Sequence, residues 1–184
     1  MIYIITPCTR PQNLSLMQPT IPNECEWIIV YDKSVENKLT ISGAKILDSP
    51  YTGHFGNSNR NYALNNLDFK DSDWIYILDD DNIIHPDWYT SVKEVINGDY
   101  NMITWGQLNK DDSIRLEPTS SPAPDEIDTA CYMVRGKIMK SLRYRLLYEA
   151  DGIMAKECSC WGNLLMLDQY LCYYNYLHKE NENG

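Results

Sequence analysis

Apolar residues in the first half of the chain come in short unbroken runs, each closed by a polar or charged residue. Ile2-Tyr3-Ile4-Ile5-Thr6 stops at Pro7, and Glu26-Trp27-Ile28-Ile29-Val30-Tyr31 stops at Asp32. Ala44-Lys45-Ile46-Leu47 is a weaker run, and Trp74-Ile75-Tyr76-Ile77-Leu78 ends in Asp79-Asp80-Asp81-Asn82. Runs of this length, rich in β-branched and aromatic residues, predict strands buried in a sheet. The segments between them predict helices. One covers residues 12–18; another follows a glycine- and amide-rich approach at 53–61 and carries the apolar face Tyr62, Ala63, Leu64 and Leu67. Pro86 suits the first turn of a third. Strands alternating with helices predict an α/β fold with parallel pairing and right-handed crossovers.

The second half is patterned less sharply. Residues 100–107 and 127–134 predict strands, and 136–147 a helix. Residues 111–125, with their Ser, Pro and Asp, predict a loop and a candidate flexible lid. Glu149-Ala150-Asp151-Gly152 is an acidic turn leading into a short helix through Met154, and the aromatic stretch 170–177 predicts a final strand. The polar tail, 179–184, predicts fraying. No internal repeat or linker divides the chain, so its 184 residues predict one domain.

Composition narrows the partners. A formal net charge of −10 argues against a nucleic-acid backbone or an anionic membrane. No apolar run reaches the length of a membrane span, and the first strand begins at once without a secretory leader. Those features predict a cytoplasmic protein whose six cysteines are reduced. Cys158-Ser159-Cys160 has no second Cys or His pair at zinc spacing and reads as structural. Fourteen Tyr and five Trp against two Phe suit an amphipathic, carbohydrate-facing cleft. A peculiarity of core composition accounts for the skew equally well.

Candidate chemistry sits at strand ends, where open α/β sheets gather their ligands. Carboxylates close three segments, at Asp32, at Asp79-Asp80-Asp81 and at Glu149/Asp151. Alternation along an extended chain would point Asp79 and Asp81 one way and Asp80 the other. Three adjacent acids repel one another, and a hard cation such as Mg²⁺, Mn²⁺ or Ca²⁺ relieves the repulsion. The alternative is an acidic turn that caps the next helix. Arg10 and Arg60 lie at loop-to-helix junctions, where helix N-termini also favour anions. A metal, two arginines and an amide-rich loop form a set suited to a nucleoside diphosphate.

Four elements in order resemble the donor-binding half of GT-A fold glycosyltransferases: Ile2-Tyr3-Ile4-Ile5-Thr6-Pro7 with Arg10, Trp27-Ile28-Ile29-Val30, Asn59-Arg60-Asn61-Tyr62-Ala63-Leu64, and Asp79-Asp80-Asp81-Asn82. They are most similar to animal β-1,3-glucuronyltransferases and to small stand-alone enzymes of viruses and bacteria. The likeness covers residues 1–89 and leaves 90–178 as the expected acceptor half. It implies a GT-A fold, with a Rossmann-like, mixed but mostly parallel sheet flanked by helices. It also implies a nucleotide-sugar donor (a UDP-sugar), a carbohydrate acceptor, and Mn²⁺ or Mg²⁺. On the same resemblance Asp81 is the main metal ligand, Asp79 assists, and Asp80 contacts the ribose. Thr6, Pro7 and Asp32 would cradle base and ribose, while Arg60, with Asn59 beside it, and Arg10 would reach the phosphates. His178 is a further candidate ligand, because a metal ligand near the C-terminus recurs in such enzymes. The second half matches only loosely, so donor sugar and acceptor do not carry over.

Glycosyl transfer needs an acceptor hydroxyl to attack the sugar C1 as the nucleoside diphosphate leaves. With inversion, a carboxylate takes the hydroxyl proton as general base. Asp151 is the first candidate and Glu149 the second, since inverting GT-A enzymes often carry that base in a late acidic turn. A capping role for Asp151 is the competing reading. Trp105 and Asp128-Thr129 are candidates for the acceptor wall, and His85 for an extra metal ligand. Two rivals stand beside this expectation. A sugar-phosphate nucleotidyltransferase would carry a glycine-rich basic loop after the first strand, and Thr6-Pro7-Cys8-Thr9-Arg10 has no glycine. The other rival is a non-catalytic nucleotide- or metal-binding module of the same fold.

Overall fold

The computed structural model describes residues 1–177. The four apolar runs of the first half form strands β1 (Ile2–Cys8), β2 (Glu26–Tyr31), β3 (Ala44–Asp48) and β4 (Trp74–Ile77). They lie side by side in the order β3-β2-β1-β4, all parallel. Helix α1 (Leu14–Met17), extended by 3-10 turns at both ends, links β1 to β2, and α2 (Asn57–Asn66) links β3 to β4.

Pro7 does not stop the first strand, which continues to Cys8. The Cys8 carbonyl accepts from Asp32 on the β2 side, and the Ile5 carbonyl accepts from Leu78 on the β4 side. Alternation therefore turns Pro7 toward β4, whose pairing with β1 ends at Ile77. A proline there forfeits no ladder bond.

The second half adds β5 (Ile83–Ile84), α3 (Trp88–Val95), β6 (Met102–Leu108), β7 (Ile114–Leu116), β8 (Tyr132–Arg135), α4 (Gly136–Met139), α5 (Ala150–Ser159) and β9 (Leu164–Tyr173). The sheet continues β4-β8-β6-β9-β5, with β7 paired to β6. Strands β8, β5 and β7 run against their neighbours while β6 and β9 are parallel, so the nine-stranded sheet is mixed but mostly parallel. No helix among the described residues is long and apolar enough to cross a membrane.

Several second-half expectations are corrected. The helix at 136–147 ends at Met139. Arg143 donates to the carbonyls of Met139 and Leu142, and Asn61 exchanges hydrogen bonds with the Tyr144 backbone, so side chains replace the next helical turns. The strand at 127–134 begins only at Tyr132, because Asp128 accepts from the Ala130 amide and closes a 3-10 turn at Thr129–Cys131. The last strand starts six residues early, at Leu164, along β6, and stops at Tyr173. Helix α5 runs past Met154 to Ser159. The expected loop at 111–125 contains β7, accepts a bond from Thr104 at Thr119, and packs its Ala123-Pro124 backbone against Gly152.

Part of the aromatic skew is a core property: four of the five Trp and four of the fourteen Tyr are buried. Tyr76 stacks on Trp88 at 5.1 Å, and Trp105 meets both rings edge-on. Tyr76 Oη and Trp105 Nε1 both donate to the Ala130 carbonyl. Burying Tyr and Trp requires such partners, and here they pin the turn that carries Asp128. Trp105, 1% exposed, is therefore a core residue and not part of an acceptor wall.

Candidate functional site

The C-terminal ends of β1, β2 and β4 open into a cleft of about 790 Å³. Its far wall comes from β7, the turn at 127–128, the start of α5 and the residues after β9. Eight carboxylates line it (Asp32, Asp79, Asp80, Asp81, Asp125, Asp128, Glu149 and Asp151) against three arginines, Arg10, Arg60 and Arg115. Like charges at this density raise the cost of ionisation wherever an arginine is out of reach.

The three acids after β4 have three different surroundings. Asp80 is 2% exposed and accepts from the Thr9 and Arg10 amides, both at 2.7 Å, and from Arg10 Nε at 2.8 Å. Its carboxylate is spent on holding the loop after β1. Asp79 takes both its oxygens to Arg60 Nη2, at 2.7 and 2.8 Å. Asp81 meets Arg10 Nη2 at 2.8 Å, and burial, then Asp79, push its carboxyl up to about 6. Simple alternation does not hold, because the chain turns where the Asn82 amide donates to the Asp79 carbonyl and carries Asp80 and Asp81 to the same arginine.

Arg60 sits in the first turn of α2, 2% exposed, with Nη1 donating to Asp151 at 2.6 Å and to Asn57 at 2.7 Å. It thereby ties Asp79, after β4, to Asp151 on the far wall. Asp151 lies in the first turn of α5, but its carboxylate faces Arg60 and caps nothing, which removes the capping reading. Burial raises the Asp151 carboxyl, Arg60 opposes this, Asp79 and Asp128 add to it, and the result is about 6. Burial and then Asp79 raise Asp128 as well. Glu149 precedes α5 and lines the cleft without capping the helix.

At the other end of the cleft, Asp32 accepts from the Ser34 amide and hydroxyl, the Gly53 amide and Asn59 Nδ2. Asn59 is buried behind it. Pro7 lines the cleft; Thr6 is fully buried, its hydroxyl accepting from Trp27 Nε1. Thr129 is likewise buried, and His85 stacks on Tyr173 outside the cleft. His178 lies outside the described residues.

Arg115, Phe55 and Tyr148 are among the cleft residues missing from the sequence-based set. Arg115 stacks on the Tyr174 ring at 3.5 Å and bonds Gln107 and Asp128; it falls in the stretch expected to be a loop. Phe55 and Tyr148 are exposed aromatics at the cleft mouth. Phe55 sits between His54 and Gly56, and Tyr148 closes the Leu146-Leu147 pair, so neither falls on a periodic apolar face.

No family model and no curated protein matches the sequence. Solved structures do match. The chain superposes on S. aureus TarS 1-349 with a TM-score of 0.71 at 13% identity, over 94% of this chain and 59% of that one. The fold is GT-A-like. The inositol-1-phosphate CTP transferase of T. maritima matches with a TM-score of 0.50 at 8% identity, over 94% of this chain and 87% of that one. The chain thus spans about three fifths of the TarS structure, and at such identities the likeness is one of fold. The GT-A-like arrangement puts the triplet at the strand ends, where the topology leaves room for a ligand.

The cleft is lined by carboxylates, the oxygen donors that a hard divalent ion takes. Asp79 and Asp81 line the cleft; both Asp79 oxygens lie on Arg60 Nη2 and Asp81 meets Arg10 Nη2, so an ion there would share the two carboxylates with these arginines. Among the described residues no three His, Cys, Asp or Glu side chains already converge as a metal cage. Mg²⁺ needs none, since it is held by one or two carboxylates together with a ligand's phosphates.

Proposed function

We propose that the protein is a glycosyltransferase that moves a sugar from a nucleoside-diphosphate sugar, a UDP-sugar in the first instance, to a hydroxyl of a carbohydrate acceptor with inversion. One observation carries the reading. The GT-A-like sheet brings Asp79, Asp81, Arg60 and Asp151, from both halves of the chain, into one cleft with Arg60 between the acids. Asp81 with Asp79 would hold Mn²⁺ or Mg²⁺. When bound, the ion supplies positive charge against the departing diphosphate.

The remaining work falls to the protein's own side chains. Asp32, with Pro7, bounds the end of the cleft assigned to the base and ribose. Arg10 and Arg60 stand beside the acids, where a diphosphate can exchange with carboxylates for their donors. Asp80 serves as a positioning residue that fixes the loop carrying Thr9 and Arg10. Asp151 keeps one oxygen on Arg60 and has its other oxygen for the acceptor proton; a carboxyl near 6 is ionised at neutral pH and basic enough to accept it. Glu149 is the second candidate for that role. The carboxylates lining the cleft also favour the positive, oxocarbenium-like sugar of the transition state.

The test is thermal unfolding against a panel of nucleotide sugars with and without Mn²⁺. One nucleotide family should stabilise the protein in a metal-dependent way by mass action, and Asp81→Ala should abolish the metal-dependent part. Undiminished metal-dependent binding in that variant sinks the assignment. Turnover that releases pyrophosphate instead of a nucleoside diphosphate would identify the rival nucleotidyltransferase.

A further inference from the structure

The cleft mouth carries two large aromatic side chains in contact. Phe55 is 64% exposed and Tyr148 71%, and their rings meet edge to face at 5.4 Å. Exposed apolar rings in contact with one another at the rim of a polar cleft are the kind of patch that marks a ligand contact. The backbone beneath Phe55 is an independent sign. Four consecutive residues have positive φ: Gly53 at 76°, His54 at 55°, Phe55 at 55° and Gly56 at 79°. The left-handed region is unfavourable for His54 and Phe55, and such conformations gather at binding sites.

The pair also stands over the seam where the two halves of the cleft join. Phe55 precedes α2, which supplies Arg60, and Tyr148 precedes α5, which supplies Asp151; the two charged groups meet at 2.6 Å. Asn57 Nδ2 donates to the Leu147 carbonyl at 2.9 Å, joining the same two segments one and two residues from the rings. Phe55, Tyr148 and Asp151 line the same cleft, so a ring seated on the aromatics would share it with Asp151. Pyranose rings offer an apolar C–H face to an aromatic and hydroxyls at the rim, and this match of apolar wall and nearby polar groups is how small-ligand sites are built.

We propose that Phe55 and Tyr148, their rings at 81° to one another, form an aromatic platform at the cleft mouth that takes a sugar ring of the acceptor against one ring face, in the cleft that also holds Asp151. The proposal rests on the transferase reading above and takes over the role that sequence had offered to Trp105.

The chain has two phenylalanines, and Phe69 is buried, so phenylalanine-labelled NMR reports Phe55 almost alone. The full chain is titrated with UDP plus Mg²⁺ and, separately, with maltose, cellobiose and lactose. The Phe55 ring signal should move with at least one disaccharide and leave Phe69 unmoved. Phe55→Leu and Tyr148→Leu keep apolar bulk but lose the flat face; each should weaken that disaccharide about tenfold while UDP binding stays within twofold. Three results overturn the platform: a Phe55 response to UDP alone, no response to any disaccharide, or unchanged affinity in both leucine variants. Disaccharide response without any UDP binding would remove the donor assignment and leave the platform standing.

Discussion

At the residue scale, identical side chains in one cleft have opposite tendencies because their neighbours differ. Burial would raise the Asp32 carboxyl, yet hydrogen bonds from Ser34, Thr52 and Asn59 outweigh it and bring it down to about 2. The unfolded chain then takes up the proton first as pH falls. The stabilisation is complete above about pH 4 and is lost as pH drops through 2, with a size of about 2 kcal/mol. Asp32→Asn should lose about that much at pH 7 in urea unfolding, and the gap to the parent should close near pH 2. Asp81 and Asp151 show the reverse tendency, held near 6 by burial and by other acids. The acid triplet was visible in the sequence as a strand-end cluster. That Asp80 would bind the β1 loop, and Asp79 an arginine from α2, was not, because those partners lie 70 and 19 residues away.

At the element scale, α5 is placed by close backbone contact. A Cβ on Gly152 would come within 2.5 Å of Pro124 Cα and 2.8 Å of the Ala123 carbonyl. Gly152→Ala should therefore cost about 1–3 kcal/mol, the usual range for overpacking, and should shift Asp151 with the helix. The checks are a lowered Tm and a transfer rate that falls further than nucleotide binding does. The four parallel strands were legible because continuous apolar runs leave little choice of partner, whereas α2 was legible only in part: it begins at Asn57, inside the stretch expected to lead up to it, and ends before Leu67. Helix α4 and strand β8 were misjudged where Arg143 and Asp128 close turns through their side chains. Local pattern does not register such bonds, since the same residues on a surface would face water.

At the scale of the whole molecule, the cleft exists because Arg60 joins its two walls. Asp79 follows β4 and Asp151 lies in α5, and one buried guanidinium bonds both. Asp151→Asn should retain metal-dependent nucleotide binding yet lower transfer by a hundredfold or more, the scale of a lost general base. On the proposed reading Asp151 acts unprotonated, so kcat/KM of the parent should fall as pH drops below about 6, with that limb absent from the residual activity of the variant. Equal rates in variant and parent would remove Asp151 from the reaction.

The sequence by itself determined the strand runs, the parallel pairing of the first half and the carboxylates at strand ends. Each of these is written in contiguous residues, through apolar runs and the charges that stop them. Only the tertiary structure decided which acid faces the cleft, which one is spent on a loop, and which aromatics are exposed. Those outcomes depend on contacts between distant segments: Asp80 with Arg10, Asp151 with Arg60, Phe55 with Tyr148, and Trp105 with the Ala130 carbonyl. Burial and partner choice are properties of the packed chain, and they turned a row of similar acids into groups with separate tasks.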